Sequence, residues 1–276
     1  MLKKSRLLRQ FNILLPILFA ALLASCSSVP IKTRNYHSVD QDTAKAYALY
    51  AMISSNAYQD MESLRFPLEK IGWNLIYSIS DDSGLAYDIL EDENSDEVIF
   101  AYRGTESLDF GDWFTNSFIV SPQPEIAYSA LKTYIKNHPR KHITLTGHSL
   151  GGGLAIGMSL RLDLDAVVFN SSPRFFDGFG LGIWGWKDSN HAKRVAIFQK
   201  GEVLEFVRSL SVLDNHKQIV PDENIFEASF NLKECNNSID KPICNHSMNL
   251  LAFELLKIGK HHEHLSVIWE AIENCK

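Results

Sequence analysis

The apolar positions of this chain fall into blocks whose spacing changes from segment to segment. Residues 11–24 are a nearly unbroken apolar run, interrupted by Pro16 and preceded by Lys3, Lys4, Arg6 and Arg9. Residues 43–58, rich in Ala, Tyr, Leu and Met, read as a helix packed on a core. Residues 73–80, 85–90 and 97–102 read as three strands. A turn at Asp81-Asp82-Ser83-Gly84 joins the first two, and a polar loop over 91–96 joins the second and third. Residues 126–137 carry an amphipathic helical pattern that stops at His138-Pro139. Residues 142–146 alternate into a β-branched run and predict a buried strand, and 150–162 predict a helix that opens on small residues. Residues 165–170 and 193–199 read as further buried strands, and 247–257 and 263–273 as two closing helices. Strands alternating with helices predict an α/β fold, with a mainly parallel central sheet flanked by helices.

The first block belongs to targeting rather than to the fold. A basic start and a short apolar run have the layout of a secretory signal, too short for a comfortable membrane span. The run ends in Leu23-Ala24-Ser25-Cys26, which resembles a bacterial lipobox, where the cysteine is acylated and becomes the first mature residue. Residues 1–25 are therefore expected to be a lipoprotein signal peptide, 26–38 a lipidated N-terminus and polar tether, and 39–276 a single domain. Ser27, in place of an acidic residue, points to the outer membrane of a bacterial cell envelope. The lipid would anchor the chain to a membrane without spanning it.

Charge and cysteines narrow the classes of partner. Removing residues 1–25 takes away four of the 27 Lys and Arg and none of the 33 Asp and Glu, leaving a formal charge of −10. That surface argues against nucleic acid. Cys235 and Cys244 are close enough in sequence to close a small disulfide loop in an oxidising compartment, with Cys275 left over. No C-x-x-C occurs and the scattered histidines complete no ligand spacing, so no metal is expected. Neither an organic cofactor nor a protein partner is implied.

Between the predicted strand at 142–146 and the helix at 150–162 stands Gly147-His148-Ser149-Leu150-Gly151. This fits G-x-S-x-G, the nucleophile elbow, in the strand–turn–helix context the motif requires. Side chains at Gly147 or Gly151 would clash with the neighbouring strand and helix. Ser149 would then sit at a helix N-terminus, where backbone N–H groups favour developing negative charge.

Directly after strand 97–102 come Arg103-Gly104-Thr105-Glu106-Ser107, then Asp112-Trp113 and Asn116. With the Gly-His-Ser-Leu-Gly-Gly elbow, Phe169-Asn170-Ser171-Ser172-Pro173-Arg174, and the early Ser54-Ser55-Asn56-Ala57-Tyr58, this set resembles the class 3, fungal-type lipases. The resemblance spans the mid-40s to about 205 and implies the α/β-hydrolase fold and ester hydrolysis. It also implies an oxyanion hole from Thr105, by backbone N–H and hydroxyl, and from the backbone N–H of Leu150. A serine needs a base and an acid that orients it, in the chain order Ser, acid, His. The family's acid follows a strand downstream of the serine. The matching position here is Glu202, where the family usually has Asp; Asp214 and Asp222 are the fallbacks.

Of the ten histidines, His37, His138 and His142 precede the serine, and His148 lies inside the elbow, where packing is its expected role. His191 and His216 sit in polar loops, and His261, His262 and His264 form a polar cluster. His246 heads an apolar helix, as the base does in related bacterial sequences, and is the expected base; His264 is the runner-up. Phe175, Phe176, Phe179, Trp184 and Trp186, interleaved with glycines, could line an acyl pocket, meet a lipid surface or fold onto the core. The expectation is a lipid-anchored serine hydrolase that cleaves lipid esters (a lipase or phospholipase) through an acyl-enzyme. The other readings are an esterase of small soluble esters and a non-catalytic envelope lipoprotein that keeps the scaffold for binding.

Overall fold

The computed structural model describes residues 36–58, 65–104, 122–172, 191–205, 208, 220–236 and 240–274. One sheet of eight strands forms its centre. The strands are β1 (His37–Ser38), β2 (Trp73–Ser80), β3 (Ala86–Asp92), β4 (Glu97–Tyr102), β5 (His142–His148), β6 (Asp165–Phe169), β7 (Arg194–Gln199) and β8 (Ile225–Ala228). Across the sheet they run β1-β8-β7-β6-β5-β4-β3-β2. From β1 to β4 every neighbouring pair is parallel, and β3 and β2 extend that edge as antiparallel strands. The helices are α1 (Gln41–Asn56), α2 (Gln123–Asn137), α3 (Leu150–Leu162), α4 (Lys241–Cys244), α5 (Met248–Gly259) and α6 (Glu263–Glu273).

Local chemistry sets the boundaries. α1 begins two residues before the expected start because the Asp40 carboxylate accepts from the Thr43 N–H at 2.8 Å and from its hydroxyl at 2.7 Å. α2 begins at Gln123, with Pro124 in the first turn, where a missing N–H costs nothing. α5 takes Ser247 as its N-cap instead of as its first residue. The polar loop expected over 91–96 is shorter, because β3 runs on through Glu91 and Asp92, which pair with Val98 and Trp73. The Glu91 carboxylate is satisfied there by the Tyr134 hydroxyl at 2.7 Å and the Lys141 ammonium at 3.2 Å. β1, inside the stretch read as tether, and β8, in the stretch read as loop, were not expected. Two and four residues are too few to display an alternation.

Strands β4, β6 and β7 are mostly apolar and buried because both faces of the sheet are covered there. Ile99 and Ala101 of β4 and Val167 and Phe169 of β6 join one core with α1, α5 and α6. Val98, Phe100 and Tyr102, with Val168 and Phe198, point the other way and pack with α2 and α3. The crossovers β4–α2–β5 and β5–α3–β6 step in the same direction across the sheet, which puts both helices on one face. Strand β5 thus lies between β4 and β6 and delivers its C-terminal end to the sheet edge where the elbow turns. An elbow at the end of a central parallel strand is the α/β-hydrolase arrangement.

Candidate active site

Ser149 sits between β5 and α3 with φ 56° and ψ −126°, a backbone conformation that L-residues rarely adopt. The surroundings hold it there. Its N–H donates to the Phe169 carbonyl at 3.1 Å, and its own carbonyl accepts from the Ser172 N–H at 2.9 Å and the Gly153 N–H at 3.1 Å. The turn tolerates no side chain beside it. A Cβ on Gly147 would come within 2.6 Å of the Gly151 backbone, and one on Gly151 would run into the Tyr102 carbonyl. The clash expected from the sequence at both glycines is present. Leu150, whose N–H was expected to serve the oxyanion hole, is the first residue of α3.

Glu202 and His246 come together across 44 positions of sequence. His246 Nδ1 lies 2.6 Å from Glu202 Oε2. That oxygen also accepts the Leu204 N–H at 2.8 Å, while Oε1 pairs with the Arg208 guanidinium. The carboxylate is wholly buried, which would push its pKa up. The neighbouring Arg208 charge, followed by the His246 hydrogen bond, overcomes burial and holds it below the usual carboxylate range. With Nδ1 committed to the carboxylate, Nε2 is the basic atom left on the ring.

The loop that carries His246 is tied down at three points. Cys235 and Cys244 form a disulfide. The Val203 N–H donates to the Pro242 carbonyl at 3.0 Å, beside Glu202. Asn245 Nδ2 reaches the Gly201 carbonyl at 3.3 Å and the Lys200 carbonyl at 3.4 Å. The Glu202 loop and the His246 loop are therefore locked to each other through backbone groups as well as through the Glu202–His246 pair.

His148 has the packing role expected of it, and it makes specific bonds. Its Nε2 donates to the His246 carbonyl at 2.7 Å, and its Nδ1 lies 2.9 Å from the Tyr58 hydroxyl. The Tyr58 oxygen in turn accepts the Gly104 N–H at 3.1 Å. Burial, then the proximity of His246, drives the His148 pKa well below its ordinary value, so the ring is neutral. A neutral ring that donates from Nε2 accepts at Nδ1, so Tyr58 is the donor in that bond. This chain joins the end of α1, the end of β4, the elbow and His246.

His264 is exposed on α6, and its charge is felt at Asp92, at the far end of β3 from the elbow. Asp222 opens a short 3-10 turn, and its side chain is outside the described residues, as is Asp214. Also outside them are Cys26, Thr105, Asp112, Trp113, Asn116, Cys275 and the aromatic stretch 175–186. The sequence reading missed Arg208, whose trace was a lone cation in the apolar stretch 203–212, and the bonds made by Tyr58 and Asn245.

A family model described as Tle-like phospholipase domain matches residues 38–224. That match ends ahead of His246. No curated protein matches the chain. Among solved structures, the Lip2 lipase of Yarrowia lipolytica is 18% identical, with 62% of this chain and 75% of that chain covered and a TM-score of 0.44. A lipase from Rhizopus microsporus var. chinensis is 15% identical over 66% and 75%, with a TM-score of 0.45. A deletion mutant of the Rhizomucor miehei lipase propeptide complex is 12% identical over 82% and 83%, with a TM-score of 0.48.

Proposed function

The chain belongs to the Tle-like phospholipase family of lipolytic ester hydrolases, and from that premise we propose that it cleaves phospholipid acyl esters with Ser149 as nucleophile, His246 as base and Glu202 as the orienting acid. One observation carries the assignment: a buried carboxylate is hydrogen-bonded to His246 Nδ1, and the His246 carbonyl is bonded to the residue that precedes Ser149. His246 Nε2 takes the Ser149 Oγ proton as Oγ attacks the acyl carbonyl. The Leu150 N–H and Thr105 hold the oxyanion, where fixed donors stabilise the transition state more than the ground state. The tetrahedral intermediate collapses, and the leaving alcohol takes the proton from His246. Water then gives a proton to His246 and attacks the acyl-enzyme, and the fatty acid leaves as Ser149 is reprotonated.

The phospholipid preference rests on the family's description, and the membrane setting rests on the sequence at Cys26. In this reading Cys26 is acylated and holds the enzyme on the outer membrane of a bacterial envelope, next to its substrate.

The test is fluorophosphonate labelling of the full chain in detergent, together with fatty-acid release from phosphatidylcholine vesicles and from a triacylglycerol emulsion. Ser149→Ala is expected to abolish labelling, and His246→Ala to reduce ester hydrolysis by about a thousandfold or more. His264→Ala should leave both at the wild-type level. Vesicles should be hydrolysed faster than emulsion. A folded wild type that neither labels nor releases fatty acid overturns the reading in favour of a binding scaffold.

A further inference from the structure

Arg208 is buried beside the triad acid, and nothing in the ester chemistry itself demands a cation there. One arm of its guanidinium pairs with Glu202 Oε1, and the other donates to the Ser171 carbonyl at 3.1 Å. The plane lies 4.0 Å from the centre of the Phe198 ring on β7. Ser171 is itself part of the elbow's support. It packs so closely on the first turn of α3 that a Cβ on Gly152 would lie 2.7 Å from its own Cβ, and the next residue, Ser172, donates to the Ser149 carbonyl.

We infer that Arg208 is the positioning residue of the triad, a two-armed strut that fixes Glu202 for His246 and ties the acid to the backbone that carries Ser149. The inference rests on the triad reading above. A glutamate has one more rotatable bond than an aspartate, so a buried Glu needs a second anchor to present one oxygen to the base. Arg208 takes Oε1, which leaves Oε2 to His246 and to the Leu204 N–H. The planar fork suits the task, because two arms at a fixed angle can hold a carboxylate and a carbonyl at once. Its charge also keeps Glu202 anionic in a buried site, where removing one partner of the pair leaves the other uncompensated. The groups that bear on this pair are His246 and His148 on the elbow side. On the acid's own loop, Lys200 turns outward to Glu227 and Glu205 bonds the Gly201 N–H.

The experiment is the pH profile of kcat and KM for a short-chain ester with full-length wild type, Arg208→Met and Arg208→Lys, alongside the low-field imidazole N–H resonance of His246. Loss of the charge in Arg208→Met should raise the proton affinity of Glu202. The acidic limb should therefore move up by about one pH unit or more, with kcat down at least about tenfold and KM unchanged, because Arg208 is buried against Glu202 and the Ser171 carbonyl. Arg208→Lys keeps the charge but not the fork. Its limb should stay in place while kcat falls and the low-field resonance shifts. A folded Arg208→Met with wild-type limb and kcat overturns the inference. If that variant does not fold, Arg208→Lys decides, and a wild-type kcat and resonance overturn it. Wild type that fails to label with fluorophosphonate sinks the triad reading as well, whereas labelled wild type with an indifferent Arg208 sinks this inference alone.

Discussion

Ser149 shows how a single residue is held in an unfavourable state by its neighbours. Its positive φ costs on the order of 1–3 kcal/mol, and three backbone hydrogen bonds to Phe169, Ser172 and Gly153 keep it there. His148 next to it illustrates the electrostatic side. Its folded pKa lies well below the ordinary 6.5, so the unfolded chain binds a proton there that the folded chain refuses. The corresponding stability is present above that pH and lost as pH falls below it. Glu202, also depressed, adds a further loss of the same sign below its ordinary 4.5. The denaturation midpoint of wild type should thus drop between pH 7.5 and pH 5.5, and more steeply than that of His148→Gln, whose amide can both donate and accept without titrating. Parallel declines in the two proteins would contradict the buried neutral imidazole.

At the scale of elements, the site is assembled from the C-terminal ends of β5, β6 and β7 plus the segment between β8 and α5. The three strands are held by the sheet, but the last segment has only short elements of its own. The Cys235–Cys244 bridge closes a loop of nine positions, and the Val203–Pro242 and Asn245–Gly201 bonds fasten it to the acid loop. Replacing both cysteines by serine should cost about 2–3 kcal/mol by the loop-closure argument and should lower kcat for ester hydrolysis, because His246 follows Cys244 by two residues. Calorimetry and ester kinetics on the double variant measure the two effects. Unchanged kcat with reduced stability would show that the bridge acts on the fold and leaves His246 where it was.

The whole molecule joins a two-faced sheet to an acidic chain that carries a lipobox-like N-terminus. A lipid anchor would raise the local concentration of membrane esters around an enzyme whose formal charge of −10 after residue 25 gives it no electrostatic pull toward anionic lipid. Labelling of bacterial cells with a radioactive or alkynyl palmitate should mark the wild-type chain and leave Cys26→Ser unmarked. Cys26→Ser should also move from the outer-membrane fraction to the soluble one. Incorporation that persists in Cys26→Ser would place the lipid elsewhere or remove it from the account.

Much of the α/β order and of the elbow was legible because both are written in local chemistry. Apolar runs of strand length, the glycines around Ser149 and the helical periods between them are properties of neighbouring residues, and a two-face-covered sheet follows from them. Strands β1 and β8 were not legible, because so few residues show no period and their pairing is made entirely by partners distant in sequence. Glu202 and His246 were singled out by motif position and order, but no spacing could say that they meet. Their hydrogen bond depends on where β7 ends and on how the Cys235–Cys244 loop folds back. Arg208, Tyr58 and Asn245 act through atoms that only packing brings near, so the linear chain carried no pattern for them. Local chemistry along the chain sets which groups are available and on which kind of element each stands. Which of them touch is a matter of packing, because burial, charge pairing and hydrogen-bond geometry are set by residues far apart along the chain.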